Sequence, residues 1–159
     1  MRTSVREYEE RDEDGVVGLS LRAWAPVFES LRAALGGLFD LMYTDWRVDQ
    51  EKAVRAACRD EGLRVWVAEV DGAVAGFAAA RVDPGERMGE VHMIAVDPGQ
   101  QRRGVGTALM AAAMAWFRES GMTLAMVETG GDPGHAPARA LYEHAGYTLL
   151  PVARYFSRV

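Results

Sequence analysis

The stretch Gln101-Arg102-Arg103-Gly104-Val105-Gly106-Thr107 sets two glycines at the mouth of an apolar run, behind paired arginines. Glycine costs about 1 kcal/mol relative to alanine inside a helix, so two of them at a helix start call for a role played by bare backbone. Binding an anion is such a role. The first amides of a helix lack internal partners and carry partial positive charge, and a missing β-carbon lets an anionic group approach them. Two phosphate-binding patterns do not fit. A dinucleotide fingerprint needs a third glycine where Leu109 stands, and it follows its strand directly. Here the seven residues from Asp97 to Arg103 intervene after the apolar run that ends at Val96. The Gly-Lys-Ser/Thr string of a P-loop is absent.

The elements around this stretch alternate between strand and helix patterns. "SVREYEE" reads as a short first strand, and residues 12 to 24 as a helix that Pro26 ends or kinks. Residues 27 to 47 are apolar and aromatic, with a Gly-Gly pair at 36 and 37. Asp49 caps a second helix, "DQEKAVRAACRDEG", which stops at glycine. In "LRVWVAEV" Leu63, Val65, Val67 and Glu69 share one face, and Arg64, Trp66, Ala68 and Val70 the other. Asp71-Gly72 then makes a two-residue hairpin turn into "AVAGFAAARV". "RMGEVHMIAV" is the next strand, and residues 104 to 120 form a helix apolar on two stripes, which implies burial against a sheet. "MTLAMVET" is a strand, "APARALYEHAG" a helix, and "YTLLPVARYFSRV" an interrupted final hairpin broken at Pro151.

Composition narrows the function classes. The 159 residues form a single domain, 1–159, with no repeat or linker; 49% are hydrophobic and 26% charged. A net charge of −5 argues against a nucleic-acid binder. No run approaches the ~20 apolar residues of a membrane span. Six acids among the first fourteen residues argue against a secretory signal, so a cytoplasmic location is expected. Cys58 is the sole cysteine, which leaves no disulfide or cysteine-based metal site; it is read as a packing residue, and no metal is expected.

The strand "VHMIAVDP" followed by Gln101-x-x-Gly104-x-Gly106 resembles the GNAT superfamily of CoA-dependent N-acyltransferases. A second segment, "HAPARALYEHAGY", is similar to that family's Asn-x-x-Ala-x-x-Leu/Phe-Tyr-x-x-x-Gly-Phe/Tyr pattern, with His135 at the asparagine position and Ala138, Leu141, Tyr142, Gly146 and Tyr147 at the others. The order β-α-α-β-β-β-α-β-α-β-β matches the family's mixed α/β fold along nearly the whole chain. The resemblance implies a sheet splayed between its fourth and fifth strands, with the pantetheine arm of acetyl-CoA in the splay. It assigns the CoA pyrophosphate to the backbone of Gln101, Arg102, Arg103, Gly104, Val105, Gly106 and Thr107. It assigns polarisation of the thioester carbonyl to backbone amides among Ile94, Ala95 and Val96. His135 would touch the CoA arm, although histidine departs from the usual asparagine and the loop "GGDPGH" is longer than usual.

An amine must be neutral to attack a thioester. With a reference pKa of about 10.4, a lysine-like amine is handicapped by about 4.6 kcal/mol near pH 7, so a base is useful, and the departing thiolate needs a proton donor. The resemblance gives Tyr142 the donor's role. Glu90, six residues before Val96, matches the base of the histone-acetylating branch, with His92 two residues on to order a proton-carrying water. Glu128 competes, matching the base of relatives that acetylate protein N-termini, though it precedes His135 by seven residues where four is usual. Strand alternation sets Glu90, His92 and Ile94 on one face until a bulge intervenes.

The amine acceptor is expected in the first third, where Trp24, Phe28, Tyr43 and Trp46, with Glu29, Asp40 and Asp45 among them, could make an aromatic, acidic enclosure for a cation. Small-molecule amine, antibiotic, peptide N-terminus and protein lysine all remain open as acceptors. The fold also allows a homodimer, with "ARYFSRV" as a contact segment. Acetyl transfer to an amine in a ternary complex is the leading reading; a non-catalytic acyl-CoA-binding or sensing module on the same fold is the alternative.

Overall fold

A computed structural model describes residues 2–159. Five strands form one open sheet in the order β1 (Thr3–Glu7), β2 (Arg64–Val70), β3 (Ala73–Asp83), β4 (Met88–Val96) and β5 (Leu124–Val127). The first four are antiparallel, and β5 runs parallel to β4. The β2–β3 turn has Asp71 at φ 51° and Gly72 at φ 84°, the doubly positive geometry that Asp-Gly favours in a two-residue hairpin.

Alternation along the strands feeds two cores. Val65, Val67, Phe77, Ala79 and Ala95 pack on one face with Val16, Val17 and Leu19 of α1 (Glu13–Leu35) and Val54 and Ala57 of α3 (Trp46–Arg59). Trp66, Ala68, Val70, Ala78, Ala80 and Val91 pack on the other against Leu109, Met110, Ala113 and Phe117 of α4 (Val105–Glu119) and Tyr142 of α5 (Ala136–His144). Small residues in β3 let α4 sit close: a β-carbon at Gly76 would lie 2.8 Å from the Ala95 carbonyl oxygen and 2.9 Å from Val105 Cγ1.

Three expectations change. The second helix begins at Trp46 and is capped by Asp45, which accepts from the Val48 amide at 3.3 Å, so Asp49 lies inside its first turn and is not the cap. Pro26 neither ends nor visibly breaks α1, which runs on to Leu35. Packing overrides the local cost of proline here, because the second half of α1 is anchored at Phe28, stacked on Trp46 at 4.5 Å, and at Ser30. The final hairpin does not form: residues 147–159 contain no strand, and the sheet ends at β5. Beyond Tyr147, whose hydroxyl contacts Met114 Sδ at 3.1 Å, the segment meets no apolar face, with Leu150 80% and Tyr155 92% exposed. Pro151 also removes a ladder donor from its middle. The short helix α2 (Leu38–Met42) covers Phe39, which is buried. Among the described residues no helix is long and apolar enough to cross a membrane.

Candidate functional site

β5 pairs with β4 only from Met88 opposite Leu124 to Val91 opposite Val127. Past that point β4 runs on to Val96 with β3 on one side and no strand on the other. This opening is the splay. It begins where the β4 register slips: Ala80 faces Val91, Ala79 faces Met93, and His92 is left unmatched as a bulge residue, exposed to solvent. The bulge falls earlier than expected and changes the faces. Ile94 and Val96 lie with the α4 and α5 core, whereas Met93 and Ala95 lie with the α1 and α3 core. Glu90, between Gly89 under Phe117 and buried Val91, points to the α1 and α3 face, so Glu90 and Ile94 do not share a side.

Below the splay, β4 passes through a turn at Pro98–Gln100 into α4. Asp97 shapes the turn: its carboxylate accepts from the Gly99 amide at 3.1 Å and pairs with Arg22 of α1 at 2.8 Å. Those bonds, Arg22 foremost, hold the Asp97 carboxyl below the usual carboxylate range. Arg102 and Gly104 both have positive φ, 65° and 75°. Gly104 is the N-cap of α4, its carbonyl accepting from Ala108 at 2.9 Å, so the amides of Val105, Gly106 and Thr107 have no partner within the helix. Consecutive amides in such a turn form a concave anion cradle. Gln101, Arg102, Arg103 and Thr107 are exposed along it. Gly106 makes room for α5: a β-carbon there would come within 3.0 Å of Leu141.

Tyr142 follows Leu141 into the same core and is 8% exposed. Its hydroxyl has no protein partner among the described residues, and burial, with Tyr147 beside it, pushes its pKa up to about 12. At neutral pH it is therefore a protonated donor with its hydrogen uncommitted.

The carboxylates differ sharply. Glu90 is hydrogen-bonded by Arg81, its cross-strand partner, at 3.2 and 3.3 Å. Glu128, directly after β5, is 80% exposed on its side chain and, among the described residues, pairs only with Arg154 at 4.0 Å. The third carboxylate, Asp132, was not anticipated. It lies in the loop between β5 and α5, accepts from Ser30 Oγ of α1 at 2.6 Å with one oxygen, and binds His135 Nδ1 with the other. Burial would raise its pKa, but the Ser30 and His135 hydrogen bonds outweigh it and hold the carboxyl below its ordinary value. Arg139 ties the loop back to α5 by donating to the carbonyls of Gly130 at 2.6 Å and Asp132 at 2.9 Å. Asp132 and His135 at i and i+3 were a readable signal; Ser30, 102 positions away, gave none.

The aromatic residues of the first third divide. Trp24 packs with the α1 and α3 core. Phe28 stacks on Trp46, with Tyr43 edge-on at 5.3 Å, beside a cavity of about 340 Å³ lined also by Glu29, Arg32, Phe39 and Arg47. The enclosure is not acidic as expected. Asp40 pairs with Arg32 and Asp45 caps α3 at the Val48 amide, while Arg32 and Arg47 cover the faces of Phe39 and Trp46. Cys58 is half-buried, and burial pushes its thiol up to about 11, consistent with a packing residue.

A family model described as "Acetyltransferase (GNAT) family" matches residues 24–147. A mycothiol acetyltransferase of Clavibacter michiganensis subsp. michiganensis is 32% identical over 136 residues, which cover 86% of this chain and 39% of that protein. One from Beutenbergia cavernae is 39% identical over 89 residues, covering 55% and 29%. The chain thus spans well under half the length of these curated relatives. Among solved structures, the ribosomal-protein-S18-alanine N-acetyltransferase from Escherichia coli superposes with a TM-score of 0.66 at 23% identity, over 91% of this chain and 77% of that one. The aminoglycoside N-acetyltransferase AAC(6')-Iy in complex with CoA gives 0.66 at 17%, over 99% and 95%. At these identities the structural likeness speaks for the fold.

Proposed function

Because the chain belongs to the acetyltransferase (GNAT) family, we propose that residues 1–159 act as one N-acetyltransferase domain that moves the acetyl group of acetyl-CoA to a small-molecule amine. The observation that carries this reading is one set of three features: the amides of Val105, Gly106 and Thr107 without partners within α4, the splay where β4 leaves β5, and a buried tyrosine with an unpartnered hydroxyl in the core that Val105, Ile94 and Val96 share. The cradle from Gln101 to Thr107 holds the pyrophosphate, the free edge of β4 from Ile94 to Val96 receives the thioester arm, and Tyr142 protonates the leaving sulfur.

An amine arrives as an ammonium ion and sheds two protons before it becomes an amide. Glu90 takes the first. It lies on the α1 and α3 face, one residue before the last β4–β5 pair at Val91, whereas Tyr142 lies in the α4 and α5 core. Arg81 engages both oxygens of the Glu90 carboxylate, each of which keeps a further lone pair for the amine. A small-molecule acceptor is supported by the relatives named for mycothiol and aminoglycosides. The cavity beside Phe28 and Trp46 is its binding region, and the arginines there favour an acceptor with anionic or polar groups beside its amine.

The test is release of the CoA thiol from acetyl-CoA in the presence of amino sugars, aminoglycosides, peptides with free N-termini and lysine-bearing proteins. Turnover with a small-molecule amine is the expected outcome. Saturable acetyl-CoA binding without release from any amine would support a sensing module instead.

A further inference from the structure

Ser30, Asp132 and His135 form a chain of side chains that ties α1 to the loop before α5. Asp132 and His135 are largely buried on their side chains, at 12% and 18% exposure. Two glycines make the arrangement possible: a β-carbon at Gly130 would stand 2.5 Å from His135 Nδ1, and one at Gly134 would stand 2.9 Å from Ser30 Oγ. Ser30 is held at both ends, donating to Asp132 and accepting from the Gly134 amide at 2.9 Å. The imidazole is therefore fixed in position and in tautomer, since an ionised carboxylate at Nδ1 requires the hydrogen there. Nε2 has no protein partner among the described residues and is not sealed from solvent. It presents a lone pair.

His135 is the N-cap of α5, and Tyr142 lies seven residues on, two turns along the same face. We propose that His135 is a second proton acceptor in the transfer, closing a proton circuit with Tyr142 and held to that task by Asp132 and Ser30. The proposal rests on the acetyl-transfer reading. As the amine nitrogen bonds to the acetyl carbon and the carbon–sulfur bond breaks, Tyr142 gives its proton to the thiolate. The nitrogen's second proton passes to His135 Nε2 and from there to the Tyr142 phenolate, which restores both residues. Asp132 from the loop binds the imidazole at Nδ1, Ser30 from α1 binds the other oxygen of Asp132, and Arg139 from α5 is engaged with backbone carbonyls.

The decisive experiment measures kcat and acetyl-CoA KM for His135→Ala with and without added imidazole, alongside Asp132→Asn. His135→Ala should lose about 10²-fold in kcat with acetyl-CoA KM within about threefold, and imidazole should restore at least about tenfold. Asp132→Asn should lose about 10-fold in kcat, as removal of a histidine's orienting partner does. A loss that imidazole does not restore, or one carried by KM alone, would make His135 a structural or CoA-contacting residue and overturn the circuit while leaving acetyl transfer intact. A wild-type protein without turnover on any amine would overturn both readings.

Discussion

Gly106 and Leu141 meet where α4 crosses α5, and a β-carbon at Gly106 would lie 3.0 and 3.3 Å from the two Leu141 methyls. Leu141 is a flexible side chain, so it can yield by a few tenths of an ångström, but Tyr142 follows it directly. Alanine gains up to about 1 kcal/mol in helix propensity, which offsets the crowding. Gly106→Ala is therefore expected to leave the melting temperature within a few degrees of wild type while kcat falls several-fold. Thermal unfolding and thiol-release kinetics on the same preparation check it; a large drop in stability with kcat preserved would contradict it.

Tyr142→Phe separates chemistry from packing. Without the hydroxyl, kcat should fall about 10²-fold and acetyl-CoA affinity should hold. Stability gives a second reading. The folded pKa of about 12 stands above the ordinary value near 10, so the neutral phenol favours the folded state. That contribution is fully present below pH 10 and is lost as pH rises from about 10 to about 12, by roughly 2 to 3 kcal/mol, because the unfolded chain releases the proton first. Denaturant titrations between pH 8 and 11.5 should show a shallower decline for Tyr142→Phe than for wild type.

Glu90→Gln tests the first deprotonation. At pH 7 the acceptor is almost wholly protonated, and loss of the base should lower kcat/KM by about 10²-fold. As pH approaches the amine's own pKa, solvent supplies the neutral amine and the deficit should shrink. A deficit that stays constant across pH 6.5–9.5 would remove Glu90 from proton transfer.

Much of this site is local in sequence, and that part was legible. The Asp71-Gly72 turn, the alternation in β2 and the glycines opening α4 depend on residues a few positions apart, and backbone sterics fix their outcome. The bulge at His92 depends on register against β3, which alternation alone does not locate, so alternation sets Glu90 and Ile94 on one face where the sheet puts them on two. The local cost of Pro26 predicts a helix end, while α1 is held by Trp46 and Asp132, distant in sequence. Apolar content predicts the final hairpin, but strands form only where a partner edge or core face receives them, and residues 148–159 have neither. Asp132 lay in a stretch read merely as a long loop, since its partner Ser30 is contributed by another helix.

Gly104 isolates cofactor binding from chemistry. At φ 75° it occupies the left-handed region, open around its missing β-carbon, so substitution meets backbone strain and no clash. An L-residue there costs about 1–2 kcal/mol, and the N-cap can relieve that only by rotating the amides that follow. Gly104→Ala should therefore raise the acetyl-CoA KM about tenfold with little change in saturating kcat, whereas Gly104→Asn, whose side chain tolerates this region, should stay nearer wild type. Acetyl-CoA titration by calorimetry, paired with steady-state kinetics at a saturating amine, distinguishes the two. Equal effects of alanine and asparagine on kcat alone would mean that the loop does not bind the pyrophosphate.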